Sequence, residues 1–208
     1  MYTGIVLGTE KVCALDKHTG YNTLTLSNNK GFLDDVFTGA SVAINGVCLT
    51  VTEILAQQKQ VKFDIAEQTN QLTTLADLKP NDDVNVERSF KLGRENGGHN
   101  IYGHIEGTAH IHHLVRHGDT LHLELKIPAD KMQYFFHKGF IGLHGCSLTM
   151  NQVDHAYNLI AVDLIPETIR ITTFKSVQIG DALNFEIDQT TRTLVDTIKA
   201  TLQQLGKL

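Results

Sequence analysis

Cys48 and Ser147 hold matching places in two similar stretches of the chain, and both carry groups that could react with a bound ligand. Residues 39–54 read GASVAINGVCLTVTEI and residues 138–153 read KGFIGLHGCSLTMNQV. Adding 99 to Gly46, Val47, Cys48, Leu49 and Thr50 gives Gly145, Cys146, Ser147, Leu148 and Thr149. The positions where the two copies disagree are the chemically interesting ones. Cys48 becomes Ser147, Ser41 becomes Phe140, Asn45 becomes His144, and Ile5 becomes His104. A thiol or hydroxyl near an imidazole can move protons or act as a nucleophile near neutral pH. His104 follows Gly103 and lies close to the Gly97-Gly98 turn, a setting that lets backbone approach a ligand closely. Residue type alone also allows Cys48 to be a small buried core residue, the usual fate of a free cysteine.

Other chemistries find little support. His110-Ile111-His112-His113 resembles a metal cluster, but on a strand His113 points away from His110 and His112. No HExxH, CxxC or carboxylate-anchored set accompanies them, so they read as a solvated strand face. No phosphate-cradling GxxxxGK[ST] loop, GxGxxG turn or GxSxG elbow is present.

The 99-residue shift extends well beyond these stretches. It carries Gly4, Gly8 and Thr9 onto Gly103, Gly107 and Thr108, and Asp82, Asn85 and Glu87 onto Asp181, Asn184 and Glu186. A register kept without gaps over so much of the chain means two copies of one fold. The period is too long for a solenoid, so the repeat is a domain duplication. With 208 residues, each copy is large enough to build its own core.

Composition is that of an ordinary globular protein, with 41% hydrophobic and 20% charged residues. The formal charge of −5 and the lack of basic runs argue against nucleic acid or an anionic membrane as a partner. The start, MYTGIVLGTEKV, does not read as a signal peptide, and no apolar run has the length of a membrane span. Three widely spaced cysteines, Cys13, Cys48 and Cys146, fit a reducing cytoplasm better than a disulfide scaffold.

The elements that must position these groups read as short strands. Apolar or alternating runs cover 41–54, 61–65 and 83–87, and recur at 139–150, 159–164 and 182–187. Thr120–Lys126 alternates strictly, as a half-buried strand does. Turn signals separate the runs, and the break between halves falls near 95–98. Each half therefore reads as a small closed antiparallel barrel. From Thr191 onward, Val195, Ile198, Leu202 and Leu205 form one helical stripe, suited either to packing on the barrel or to oligomerisation. DIAEQT (64–69) and DLIPET (163–168) read as strand ends whose unpaired N–H and C=O groups could face a flat amide-bearing heterocycle. Thr50 and Thr149 would add a hydroxyl in each copy, and Glu67, Glu167, Thr69 and Thr168 could serve a polyol tail.

The segments MYTGIV, GASVAINGVCLTV, NVERSFKLGRENGGHNIYGHIEGTA, KGFIGLHGCSLTM and LIPETIRITT together resemble the riboflavin synthase family of the alpha-chain type. The resemblance covers essentially the whole chain. It implies an all-β fold of two tandem six-stranded Greek-key barrels, with lumazine-binding barrels over 1–96 and 97–190 and an oligomerisation helix over 191–208. It implies a homotrimer in which two molecules of 6,7-dimethyl-8-ribityllumazine meet between barrels of neighbouring subunits. One gives a four-carbon unit to the other, yielding riboflavin and 5-amino-6-ribitylaminouracil, with no cofactor or metal. A loose association with the lumazine-forming enzyme is a further implied partnership.

Carried over motif by motif, the resemblance puts Gly4, Ile5, Val6, Cys48, Leu49, Thr50, Asp64, Ile65, Ala66, Glu67, Gln68 and Thr69 in an N-terminal pocket. A C-terminal pocket takes Gly103, His104, Ile105, Lys138, Ser147, Leu148, Thr149, Asp163, Leu164, Ile165, Pro166, Glu167 and Thr168. Ser41, Cys48 and His104 match catalytic positions, with His104 moving protons and Cys48 or Ser41 assisting addition; Asp188 is a weaker candidate. Two residues depart from the pattern. Tyr2 stands where Phe is usual beside the N-terminal pocket, and His144 where Asp is common. The alternative within the same fold is a non-catalytic lumazine- or flavin-binding antenna protein. Those proteins lose the glycine-histidine stretch that survives here as Gly97-Gly98-His99 and Gly103-His104.

Overall fold

The duplication is realised as two closed six-stranded antiparallel barrels in a computed structural model that describes residues 1–207. The first barrel contains β1 (Gly8–Lys17), β2 (Tyr21–Ser27), β3 (Ser41–Ile44), β4 (Val47–Leu55), β5 (Gln60–Ala66) and β6 (Asp83–Arg88). The second contains β7 (Gly107–His117), β8 (Thr120–Lys126), β9 (Phe140–Leu143), β10 (Cys146–Asp154), β11 (Leu159–Leu164) and β12 (Ala182–Ile187). The strands neighbour one another in the order β1-β2-β5-β4-β3-β6, and the second barrel repeats that order. Short helices α1 (Glu67–Leu72) and α2 (Pro166–Ile171) follow β5 and β11, and α3 (Gln189–Gln204) closes the chain.

The runs at 41–54 and 139–150, each read as one strand, are hairpins. Asn45-Gly46 and His144-Gly145 break them, with φ of 46°, 83°, 50° and 88° respectively. Two consecutive left-handed residues make the tight turn whose twist suits paired strands, and Asn and Gly take it at least cost. β1 and β2 have weak sequence signals. In β1 the register shifts between Val12 and Ala14, so alternation along the strand is broken.

The two hairpin tips meet at the centre of the molecule. A Cβ on Gly46 would lie 2.7 Å from the Gly145 nitrogen, and one on Gly145 would lie 2.9 Å from the Gly46 nitrogen. Around this contact runs a buried polar clamp. Asn85 Nδ2 donates to the His144 carbonyl (2.9 Å), and Asn184 Nδ2 donates to the Asn45 carbonyl (3.0 Å). Asn85 Oδ1 accepts from the Thr173 N–H and Asn184 Oδ1 from the Thr74 N–H, both at 2.8 Å. Each asparagine thus spends its amide on backbone of the opposite barrel. In the hairpins themselves, Asn45 Oδ1 accepts from the Asn85 N–H, and His144 Nδ1 does the same for the Asn184 N–H.

The segments leading into the barrels are exchanged. Val6, ahead of β1, belongs to the apolar core of the second barrel, and Ile105, ahead of β7, packs against the core of the first. Each segment is tied back to its own barrel by a buried carboxylate. Glu87 accepts from the Thr3 N–H (2.7 Å), Thr3 hydroxyl (2.8 Å) and Gly4 N–H (3.1 Å). Glu186 accepts from the N–H groups of Tyr102 (2.7 Å), Gly103 (2.8 Å) and His104 (3.1 Å). Tyr2 and Ile101, repeat-mates themselves, exchange backbone hydrogen bonds of 2.6 and 3.0 Å where the segments cross.

The helix expected over 191–208 begins earlier, at Gln189, because Asp188 caps it: Asp188 Oδ1 accepts from the Thr191 N–H at 2.8 Å. Position 208 lies outside the described residues. Glu106, paired with both Lys131 and Arg192, and a Tyr134–Asp196 hydrogen bond of 2.6 Å dock α3 on the second barrel. Half of the predicted stripe remains uncovered in the single chain, with Ile198 57% and Leu205 61% exposed, while Val195 and Leu202 are half-buried.

Complete burial depresses the pKa of His144 to about 4, so the imidazole is neutral and its Nδ1 is free to accept. The unfolded chain therefore binds a proton that the folded chain refuses. Stability from this group is present above the free value near 6.5 and is lost as pH falls toward 4, about 3 kcal/mol in all. Glu186, raised by burial to about 7, works in the opposite sense over pH 4.5–7, so the wild-type curve conceals both effects. Restoring the symmetric acceptor with His144→Asn isolates the histidine. Urea unfolding at pH 7, 5.5 and 4 should show the wild type losing about 3 kcal/mol relative to the variant on acidification. Parallel curves would contradict the buried neutral histidine.

Candidate active site

The first mouth lies on the outer surface of the β3–β4 hairpin. Leu49 and Val51 point into the barrel, 4% and 1% exposed, so alternation turns Cys48 and Thr50 outward. The ladder sets Ser41 opposite Thr50 and Ala43 opposite Cys48, which brings Ser41 to the same face. β4 and β5 pair only from Val51 opposite Phe63 onward. Before that point β4 pairs with β3, while Asp64–Ala66 pairs with β2 alone, and the two strands part. A cavity of about 440 Å³ adjoins this gap, lined by Cys48, Gln68, Thr69, Leu72, Gly103 and His104 among others.

The expected strand ends at 64–69 and 163–168 are strand only in part. α1 starts at Glu67 and α2 at Pro166, where a missing N–H costs nothing and a fixed φ suits the first helical turn. The acidic residues Glu67 and Glu167 lie in those first turns, where the helix dipole favours negative charge. Asp64 accepts from the Thr23 hydroxyl (2.8 Å), and Asp163 contacts His122 (2.7 Å) and Asn151.

The grouping of candidate residues by half of the chain is overturned. Gly103 lies on Cys48, whose N–H donates to the Gly103 carbonyl at 3.1 Å. Gly4 lies on Ser147, whose N–H donates to the Gly4 carbonyl at 2.9 Å. Gly103, His104 and Ile105 thus join Cys48, Thr50 and Asp64–Thr69, while Gly4, Ile5 and Val6 join Ser147, Leu148, Thr149 and Asp163–Thr168. Segment exchange is the cause. Val6, Leu49, Ile65 and Leu164 are buried in the barrel interiors, which leaves only their backbone for a ligand. Lys138 occupies the place of Gly39 and keeps its left-handed backbone, φ 65° against 94°. A side chain has been accepted there despite the conformational cost.

The second mouth is built differently. Phe140, the counterpart of Ser41, stacks on His99 with ring centroids 5.0 Å apart. His99 Nδ1 lies 2.6 Å from the Ser147 hydroxyl, which also accepts from the His99 backbone N–H at 3.2 Å. Burial lowers the His99 pKa, partly offset by Asp188, and favours the neutral ring as Ser147's hydrogen-bonding partner. Sequence comparison of the repeats misses His99 because subtracting 99 carries it off the start of the chain. The only signal is its place in Gly97-Gly98-His99: Gly98 has the Thr3 carbonyl 2.0 Å from where a Cβ would sit.

Tyr2 was expected to border a ligand, yet its ring is fully buried at the segment crossing and cannot stack on one. Its hydroxyl donates instead to Cys48 Sγ at 3.1 Å. Asp188 is accounted for by its capping role. His144 is a turn residue in the clamp and lies away from both mouths. Among the described residues no helix is long and apolar enough to cross a membrane.

Comparison with known proteins agrees with this doubled architecture. A family model described as the lumazine binding domain matches residues 3–89 and again 102–188, in the same 99-residue register. The chain is 41% identical to the riboflavin synthase of Escherichia coli (strain K12) over 97% of this chain and 93% of that protein. It is 36% identical to the riboflavin synthase of Chlamydia pneumoniae over the full length of both. Among solved structures, LumP complexed with riboflavin superposes with a TM-score of 0.82 at 26% identity, covering 91% of this chain and all of that one. LumP complexed with 6,7-dimethyl-8-(1'-D-ribityl) lumazine gives 0.81 at 25% identity with the same coverage.

The crossing segments make a quantitative expectation. Gly103 has φ 78°, and an added Cβ would lie 2.5 Å from Cys48 Cβ, whereas Gly20 has φ 86° and nothing within 4 Å. Gly20→Ala reports the conformational penalty alone, roughly 1 kcal/mol; Gly103→Ala adds the collision and the lost backbone bond, roughly 3 kcal/mol in total. Equal losses in denaturant unfolding would show that the segment does not rest on Cys48.

Proposed function

The chain belongs to the riboflavin synthase family, with two lumazine binding domains in tandem, and we propose on that premise how its two mouths share the work. The enzyme is a transferase that converts two molecules of 6,7-dimethyl-8-ribityllumazine into riboflavin and 5-amino-6-ribitylaminouracil. Donor and acceptor are the same compound in different roles. Two pockets of like shape and unlike reactive groups suit that demand. The observation that carries the reading is this inequality: a thiol beside His104 in one mouth, a hydroxyl beside His99 in the other.

In this reading His104 takes and returns protons at the acidic 7-methyl group of one lumazine, and Cys48 or Ser41 assists addition to the other ring. Much of the acceleration comes from holding two rings in contact in a reactive orientation. The splayed backbone at Asp64–Ala66 and Asp163–Leu164 offers amide groups to the ring edge, and Thr50, Thr149, Glu67 and Glu167 serve the ribityl chain. In this reading the two rings meet when subunits associate. The uncovered half of the α3 stripe supports a homotrimer as that assembly. The free cysteines support a cytoplasmic location.

The decisive assay mixes the purified protein with 6,7-dimethyl-8-ribityllumazine and a chelator. Riboflavin should appear at half the rate of lumazine loss; binding without turnover would overturn the reading. His104→Ala should lower kcat about 100-fold or more while the dissociation constant for lumazine moves less than about threefold. Matched losses in kcat and affinity would reduce His104 to a contact residue.

A further inference from the structure

The Cys48 side chain is gripped from behind. Its sulfur, on the outer face of β4, has the cavity with His104 on one side and the phenol of Tyr2 on the other. Tyr2 is wholly buried, its backbone is fixed to Ile101 by two hydrogen bonds, and its ring packs with Ala43 and Ile101. The hydroxyl therefore has a set position, 3.1 Å from Sγ. Burial pushes the phenol well above its ordinary range, so it remains a donor through the whole working pH range.

We propose that Tyr2 is a positioning residue for Cys48: its buried hydroxyl donates to the sulfur, holds one rotamer, and leaves the thiol hydrogen to point into the cavity. A sulfur that accepts from Tyr2 need not return its own hydrogen along the same contact. The S–H then becomes the donor offered to the ligand. The second mouth lacks this device. The 99-residue shift carries Tyr2 onto Ile101, which has no hydroxyl, and Ser147 is held instead by His99.

The catalytic part of this inference rests on the riboflavin synthase reading; the contact itself does not, and the test separates the two. Tyr2→Phe removes one oxygen from the full-length chain. Iodoacetamide labelling of Cys48, resolved from Cys13 and Cys146 by peptide mass spectrometry, needs no turnover. A sulfur held in one rotamer at the cavity meets the reagent in a fixed orientation, and releasing it spreads the side chain over rotamers that face away. Labelling of the variant should be about threefold slower than wild type at pH 7. Loosened packing alone would speed labelling, and that result would overturn the proposal, as would an unchanged rate. In the lumazine assay Tyr2→Phe should lower kcat about fivefold with KM within twofold, and should have no further effect once Cys48→Ala is present. A full loss in the Cys48→Ala background would place Tyr2 outside the thiol's function. A wild type without turnover would sink the functional reading and leave the labelling result to decide the contact.

Discussion

The structure depends on a crossing of two peptide segments, each held to its own barrel by a buried carboxylate and laid across the mouth of the other. Glu87 and Glu186 each collect donors from three consecutive or neighbouring groups, Thr3 and Gly4 in one case and Tyr102, Gly103 and His104 in the other. Burial raises the pKa of both, the cost of keeping a carboxylate out of water, and the converging N–H groups work against that rise. The bonds set the segments down in only one way. Val6 and Ile105 then fill space in the opposite barrel, and the glycine carbonyls reach Ser147 and Cys48. Only glycine permits so close an approach with a left-handed backbone. The mouths, the barrel interface and the inequality of the two sites all follow from this crossing.

Much of the fold was legible because repetition is visible without knowing what it builds. The constant shift of 99, the alternating runs and the turn signals suffice for two small barrels and a closing helix. The exchange was not legible. A shift maps Gly4 onto Gly103 whether each segment packs on its own barrel or on the other, so grouping by half of the chain was the natural and incorrect assignment. α1 and α2 were hidden by brevity, since one and a half turns leave no periodicity to read. Tyr2 was placed beside a ligand because hydrophobic character does not say which surface a ring will cover. His144 looked like a lost acid; its place in a tight turn makes it a substitute acceptor for the Asn184 N–H.

The differences between the repeats divide into two kinds. Asn45 and His144 differ in residue and agree in task, both accepting from a backbone N–H in the central clamp. Ser41 and Phe140, or Cys48 and Ser147, differ in task. Phe140 provides a face for His99, a residue of the linker that leads into the second barrel. Duplication thus supplied two mouths on one strand plan, and the linker itself supplied part of the asymmetry. A reaction between two copies of one compound requires both features.

The central claim is that each chain keeps two working pockets that are alike in shape and unequal in chemistry. Calorimetric titration with a lumazine analogue lacking the 7-methyl group, which binds without reacting, tests it directly. Two molecules bound per chain with distinguishable affinities is the predicted result. One molecule per chain would contradict it and would make the second barrel a scaffold for the first.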